Sequence, residues 1–271
     1  MGRLQVLVAT MHQTDFSLIE KMNIRADVII ANQADYEAVS ECSFGSYHAK
    51  MITTRTRGVG VNRNIALQAA DAEIVLFADD DICYKDDAFN EVLRAFDTLP
   101  QTDLIAFGAD ITKNGAVTRQ IRHPIRRRHI WNSMAFGAAF LAARRESVCE
   151  KKIAFSELFG GGCMFGSGED TMFLKECLAN KLVLFSHSYV LGSCASDVSS
   201  WFEGYREKYF YDKGAWTAAA FPKTKFLMKW YFMFRLRKLS QIPFKKMLYY
   251  FNLGLCGYAA RRPYSEELSN T

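Results

Sequence analysis

Three consecutive carboxylates, Asp79-Asp80-Asp81, close an apolar run of Ile74-Val75-Leu76-Phe77-Ala78. Acids packed this closely repel one another unless something positive sits among them. A divalent cation would relieve that repulsion, and an oxygen-only donor set suits magnesium or manganese. A second acidic pair, Glu169-Asp170, ends the segment Phe159 to Asp170, in which five of twelve residues are glycine. Carboxylates where a glycine-rich loop enters a helix can be simple N-terminal caps. They can equally be a base that takes the proton from a hydroxyl nucleophile. The residues alone leave both readings open.

Cations accompany these acids. Arg57-Gly58-Val59-Gly60-Val61-Asn62-Arg63-Asn64 opens a helix that continues through Ile65, Leu67 and Ala70. A helix N-terminus beside two arginines can meet a diphosphate, or the stretch can be a plain loop-to-helix turn. It is not a Walker loop, because the Gly-Lys-Ser/Thr ending is missing. Arg119 to His129 forms a dense basic loop around Pro124. It reads as a solvated loop or as a collar for an anionic donor or a phosphate-bearing acceptor. A nucleic-acid patch would need interleaved aromatics or a known module, and neither is there.

These residues need a scaffold. Leu4 to Thr10 and Asp27 to Ala31 are short β-branched apolar runs, and Lys50 to Thr54 suggests a third strand. Ile74 to Ala78, Leu104 to Phe107 and Val183 to Ser186 complete the set, with Asn114-Gly115 as a hairpin turn. Helical spacing appears from Phe16 to Met22 and at Phe89, Val92, Leu93 and Phe96. Residues 187–200 read as a polar loop, followed by an aromatic helix carrying Trp201, Tyr205, Tyr209 and Phe210. Strands alternating with helices predict an α/β fold with a mixed, mainly parallel sheet, whose ligand crevice lies beyond the strand C-termini. That places Asp79 to Asp81 at the crevice.

The chain has 271 residues and a net charge of +5. Between Pro222 and Arg262 lie ten basic residues (Lys223, Lys225, Lys229, Arg235, Arg237, Lys238, Lys245, Lys246, Arg261, Arg262) and no acid. The remainder is therefore net acidic, and the two parts face different partners. This divides the chain into 1–221, a catalytic domain, and 222–271, a basic and aromatic helical extension. Seven scattered cysteines without CxxC spacing argue against a disulfide scaffold or zinc site and for a reducing compartment. No signal peptide and no transmembrane run is expected, so the expected location is cytoplasmic.

Three pieces occur together in order: the helix start at Arg63-Asn64, the strand ending in Asp79-Asp80-Asp81, and Gly168-Glu169-Asp170. In this order and spacing the chain resembles family-2 glycosyltransferases, from about Leu4 to Gly214. Ser199-Ser200-Trp201-Phe202 and Lys208 to Gly214 add to the resemblance. It implies a GT-A fold and sugar transfer, with inversion, from a nucleotide-diphosphate sugar, using Mn2+ or Mg2+. By this resemblance Asp81 is the principal metal ligand with Asp79, and Asp79 and Asp80 face the nucleotide. Asp170 is the general base with Glu169 as its neighbour, Arg63 lies at the nucleotide pocket, and Thr10 ends the strand that delivers residues to the base. Where relatives carry an acidic pair to read the base, this chain has Asn32-Gln33, whose amides can still pair with uracil. Relatives also place a histidine before the Ser/Thr-Trp segment. Here the stretch is Gly192 to Asp197, the nearest histidine is His187, and the third protein ligand is unassigned.

The segment from Pro222 to Tyr258 interleaves basic residues with aromatics such as Phe226, Trp230, Tyr231 and Phe234. It reads either as an in-plane contact with an anionic membrane surface or as a packed aromatic subdomain or dimer contact. Membrane contact would suit a lipid-linked glycan acceptor, as in bacterial polysaccharide assembly, met at the cytoplasmic face of the inner membrane. Two other functions fit some of the same residues. A metal-dependent nucleotidyltransferase also clusters carboxylates on an α/β sheet, though no glycine-rich Lys/Arg signature marks the first strand. A basic membrane-binding scaffold would leave the acids as caps and turns.

Overall fold

The computed structural model describes residues 2–133, 136–195 and 204–265. Two units emerge, one of Met1–Ser156 with Asp170–Val198, the other of Glu157–Glu169 with Ser199–Thr271.

The first unit is built on strands whose side chains alternate between two apolar layers. Its strands are β1 (Leu4–Met11), β2 (Asp27–Gln33), β3 (Ala38–Phe44), β4 (Tyr47–Thr54), β5 (Ile74–Asp79), β6 (Ile82–Tyr84), β7 (Leu104–Lys113), β8 (Ala116–Ile121), β9 (Arg126–Arg128), β10 (Leu141–Arg144) and β11 (Leu184–Ala195). Their order is β3-β4-β2-β1-β5-β10-β7-β11-β6, with β8 on β7 and β9 on β11. The centre, β4-β2-β1-β5, is parallel, whereas β10 runs against both β5 and β7. The mixed α/β sheet expected from the sequence is present.

Period-two alternation assigns the faces. Val6, Val8, Leu76 and Ala78 share one core with α1 (Leu18–Lys21) and α3 (Ala88–Thr98). Leu7, Val75 and Phe77 share the other with α2 (Val59–Ala69) and α6 (Glu169–Ala179). Two short helices, α4 (Ile130–Ser133) and α5 (Arg145–Glu150), flank β10. Because α2 and α6 pack on the same face, the residues at their N-terminal ends come to the same end of the sheet.

Two elements depart from the sequence reading. The hairpin partner β3 was not expected, because it is an edge strand with little of its surface buried. Residues 187–195 are not a loop. They continue β11, with register shifts between Ser186 and Val190 and between Val190 and Ser193. The irregular, half-exposed pairing there removes the apolar alternation that marks a strand.

The second unit carries α7 (Glu207–Ala220), α8 (Lys225–Leu236), α9 (Phe244–Ala259) and the glycine-rich segment Glu157–Glu169. Helices α7 and α9 approach at backbone distance. A Cβ on Gly214 would strike the Phe251 carbonyl, and one on Gly254 the Tyr211 carbonyl. Phe159, Phe165 and Tyr258 form an aromatic cluster, the first two rings stacked at 4.9 Å. The second body takes in α7 and the glycine-rich segment, with α7 packed on α9. Among the described residues no helix is long and apolar enough to cross a membrane.

Candidate active site

The crevice end of the sheet is organised by one arginine. Arg63, in the second turn of α2, is nearly inaccessible, its side chain 4% exposed. Its Nη2 donates to Asp79 Oδ1 at 2.8 Å and its Nη1 to Asp170 Oδ1 at 2.7 Å. The guanidinium lies over the Phe155 ring, 5.4 Å from the centroid. Phe155 stacks on Phe173 at 4.0 Å and meets Phe77 edge-on at 5.1 Å, so an aromatic floor supports the cation. Its neighbours anchor the helix. Asn62 Nδ2 donates to the Thr10 and Ala31 carbonyls, and Asn64 exchanges bonds with the Phe155 backbone. A planar, five-donor guanidinium suits such bridging, where an ammonium would choose one acid.

The start of α2 therefore does structural work. The Gly58 carbonyl accepts from Gln33 Nε2 at 3.1 Å, and Gly60 lies tight against the Ser156 carbonyl.

The three consecutive acids point to different partners. Asp79 faces Arg63, whereas Asp80 accepts a short hydrogen bond from the Thr10 hydroxyl, which also accepts from Gln13 Nε2. Lys21 Nζ donates to the Asp80 carbonyl. Asp81 sits solvent-exposed at the rim with protein at its back. Desolvation on that side, then the Asp79 and Asp80 charges, push its carboxyl up to about 6. Among the described residues no three His, Cys, Asp or Glu side chains converge into a metal cage.

Asn32 is placed differently from the sequence reading. It is fully buried, its Oδ1 accepts from the Gln13 amide, and its Nδ2 donates to the Gln13 carbonyl and to Thr53. It holds the turn after β1 and has no amide group left for a base. Gln13 and Tyr36, whose hydroxyl donates to the Gln13 carbonyl, lie outside it. The basic segment is divided: Arg119 on β8 pairs with Ile111 in the C-terminal half of β7, whereas Arg126, Arg127 and Arg128 pair with Ser186, Phe185 and Leu184 at the start of β11, level with the beginning of β7. His187 is half-buried beside Phe107, its pKa lowered by burial, and its Nδ1 accepts from the Tyr189 amide. That is a packed structural histidine. Asp197 and Ser199 to Phe202 lie outside the described residues.

Two residues near the acids escaped sequence reasoning. A Cβ on Gly137 would come within 3.2 Å of Asp170 Oδ2, so the missing side chain leaves that carboxylate approachable. Cys194 pairs in register with Ile82, and burial, then the Asp81 and Asp79 charges, push its thiol up to about 11. The small-residue run Phe136 to Leu141 was a signal for the first; the second lies in the Gly192 to Asp197 stretch, where relatives place a histidine.

Comparison with known proteins matches the chain to a family. The family described as Glycosyl transferase family 2 matches residues 12–153, just over half of the chain. The chain belongs to glycosyl transferase family 2. Among solved structures it is similar to S. aureus TarS residues 1–349 in complex with UDP-GlcNAc, at 13% identity and a TM-score of 0.62, covering 97% of this chain and 93% of that one. It is also similar to the same TarS region with UDP, at 15% identity, a TM-score of 0.56, and 98% and 73% coverage. The Pyrobaculum calidifontis mannosyltransferase PcManGT, in complex with GDP-Man and Mn2+, follows at 14% identity, a TM-score of 0.51, and 95% and 87% coverage. At such identities these likenesses speak for the shared GT-A fold. No curated protein matches the chain by sequence.

The Asp79–Asp81 end of β5 is acidic, and Arg63 joins Asp79 to Asp170 through one Oδ1 of each.

Proposed function

We propose that this protein is a metal-dependent inverting glycosyltransferase acting on a nucleotide-diphosphate sugar, a UDP-sugar in the first instance. The acceptor is a hydroxyl of a glycan, carried on a lipid, met by a peripheral enzyme at the cytoplasmic face of the inner membrane. The observation that carries the reading is the Arg63 bridge between Asp79 and Asp170. It ties the acids that would face the leaving group to the carboxylate that would take the acceptor proton.

Asp81 and Asp79 would hold Mn2+ or Mg2+, which often binds through one or two carboxylates and completes its shell with substrate phosphates and water. The raised Asp81 carboxyl and the all-oxygen donor set fit such an ion. When bound, the ion supplies charge stabilisation to the departing diphosphate. Thr10 fixes Asp80, so that acid stays oriented toward the nucleotide side of β1. Arg63 fixes Asp170 through Oδ1, and this carboxylate would accept the proton as the hydroxyl attacks. A single base opposite the leaving group suffices for inversion, whereas two carboxylates flanking the bond would suit hydrolysis.

The test is incubation with a panel of nucleotide sugars and manganese, following nucleoside diphosphate release, with thermal stabilisation by each nucleotide measured with and without metal. Metal-dependent stabilisation by uridine nucleotides and release of UDP are expected. Neither stabilisation nor release with any sugar nucleotide would sink the reading. Release of diphosphate from a nucleoside triphosphate would favour the nucleotidyltransferase alternative.

A further inference from the structure

Helix α8 is apolar on both sides. Met228, Phe232, Met233 and Leu236 are buried, Phe232 meeting Trp216 edge-on at 5.7 Å. A helix needs one such stripe to dock on its own fold. Yet Phe226, Leu227, Trp230, Tyr231 and Phe234 remain 64%, 70%, 43%, 44% and 66% exposed. At 3.6 residues per turn these five fall within about 140° of arc, opposite the buried stripe. With side chains of roughly 150–250 Å² each, they leave on the order of 500 Å² of contiguous apolar surface. A patch that size on one helix marks an interaction site.

Charge identifies the occupant. Arg235 flanks the arc on one side, Lys229 lies on the side toward α9, where its Nζ donates to Asn252 Oδ1 at 3.3 Å, and Lys223, Arg237 and Lys238 stand exposed at the arc's ends. No acid occurs between Pro222 and Arg262. The basic groups lie along the aromatic rings. Lys225 Nζ is 5.5 Å from the Phe226 centroid, Lys229 Nζ 5.1 Å from Trp230, and Arg235 donates to the Tyr231 hydroxyl at 2.6 Å. Aromatic rings beside cations in a segment without acids match the boundary between acyl chains and anionic headgroups. A second copy of the chain would present the same positive charge to itself. The patch is also smaller than the ≈ 800 Å² per partner of a stable protein interface.

We propose that the outward face of α8 is a membrane-docking surface, seated in the plane of an anionic bilayer with Phe226, Leu227, Trp230, Tyr231 and Phe234 inserted. The surface supplies the membrane contact that a lipid-linked acceptor calls for, and it stands on α8 alone.

Flotation of the full chain with vesicles of phosphatidylcholine, or of phosphatidylcholine mixed with phosphatidylglycerol, tests it. Binding is expected with the anionic vesicles and not with the neutral ones. A Phe226→Ser/Phe234→Ser protein should bind about tenfold more weakly or worse, with an unchanged thermal midpoint because both rings are already exposed. Lys229→Glu/Arg235→Glu should lose the preference for phosphatidylglycerol. In the wild-type chain, brominated acyl chains should quench fluorescence, and Trp230→Phe should remove that quenching. No flotation of the wild type, or flotation undiminished in the serine variant, overturns the proposal. So does a dimer that the serine variant dissociates without any vesicle binding, which would assign the face to a second copy. Nucleoside diphosphate release with a soluble acceptor should be equal in wild type and serine variant. Its absence in both, with flotation intact, would count against the sugar-transfer reading and leave the membrane surface standing.

Discussion

The two carboxylates that Arg63 holds are placed by opposite means. Asp79 ends β5, a strand buried along its apolar length and paired on both sides, by β1 and β10. Nothing there can move without disturbing both core layers. Asp170 is the second residue of α6 and follows directly on a glycine-rich segment. That segment is held by side chains of α7. Trp216 Nε1 donates to the Gly168 carbonyl at 3.2 Å, and Asp212 accepts from the Gly166 amide at 3.1 Å and from Lys208 at 2.7 Å. A buried strand fixes the one acid, whereas the other opens a helix in sequence directly after a clamped loop.

The largest effects should separate these two halves chemically. Asp170→Asn is expected to lower the transfer rate by roughly 10²–10⁴ while nucleotide affinity with metal, read by calorimetry, stays within about twofold. Asp81→Ala should lose metal-dependent nucleotide binding as well as transfer. Collapse of nucleotide binding in Asp170→Asn would undo the division of roles.

Arg63 is where the halves meet. Arg63→Met leaves Asp79 and Asp170 without their shared cation, and breaking a buried ion pair costs about 3–5 kcal/mol. Both acids are partly exposed, 40% and 27%, which brings the expectation down to roughly 1–3 kcal/mol. Adding Asp170→Asn should restore part of the loss in chemical denaturation, because one stranded charge is gone. Strict additivity of the two changes would argue against coupling through the arginine.

A smaller effect is expected on the loop side. Gly168 has φ of +113°, and a Cβ there would overlap the Trp216 indole. Gly168→Ala should therefore cost about 1–3 kcal/mol in strain and displaced packing. The comparison requires transfer to fall more than nucleotide affinity. An equal fall in both would mean that the loop and the strand do not have separate duties.

What could be read in advance follows the same divide. Asp79 to Asp81 stood out because an apolar strand and its charged end lie side by side in the sequence. Asp170 was legible through resemblance alone, since acids at a helix start are commonly caps. The Arg63 bridge could not be read, because its partners lie 16 and 107 residues away and spacing carries no record of packing. Gly137 beside Asp170 escaped for that reason too. Asn32 illustrates the converse error. Its position at a strand end was read correctly, but burial committed its amide to Gln13 and Thr53. The α8 arc was obscured because basic residues interrupt its aromatics in sequence, whereas only the fold decides which side is covered.

The smallest predicted effect concerns the helices behind the clamp. Lys213 on α7 is half-buried, its Nζ 3.8 Å from the Trp216 centroid and 4.5 Å from that of Phe232. Burial, then the nearby Arg235 charge, push its amine down to about 8. Below pH 8 the folded chain carries that charge at a cost the unfolded chain does not bear. Between about 8 and the ordinary value of 10.5 the unfolded chain keeps a proton that the folded chain releases, so stability must rise with pH across this window. Partial solvent access and the facing rings hold the gain to about 1 kcal/mol. Lys213→Met should remove the rise and, near neutral pH, melt at or slightly above the wild type. A wild-type midpoint that falls between pH 8 and 10 by the same amount in both proteins would show that Lys213 is not strained. The aromatic wall behind the loop would then owe nothing to its buried amine.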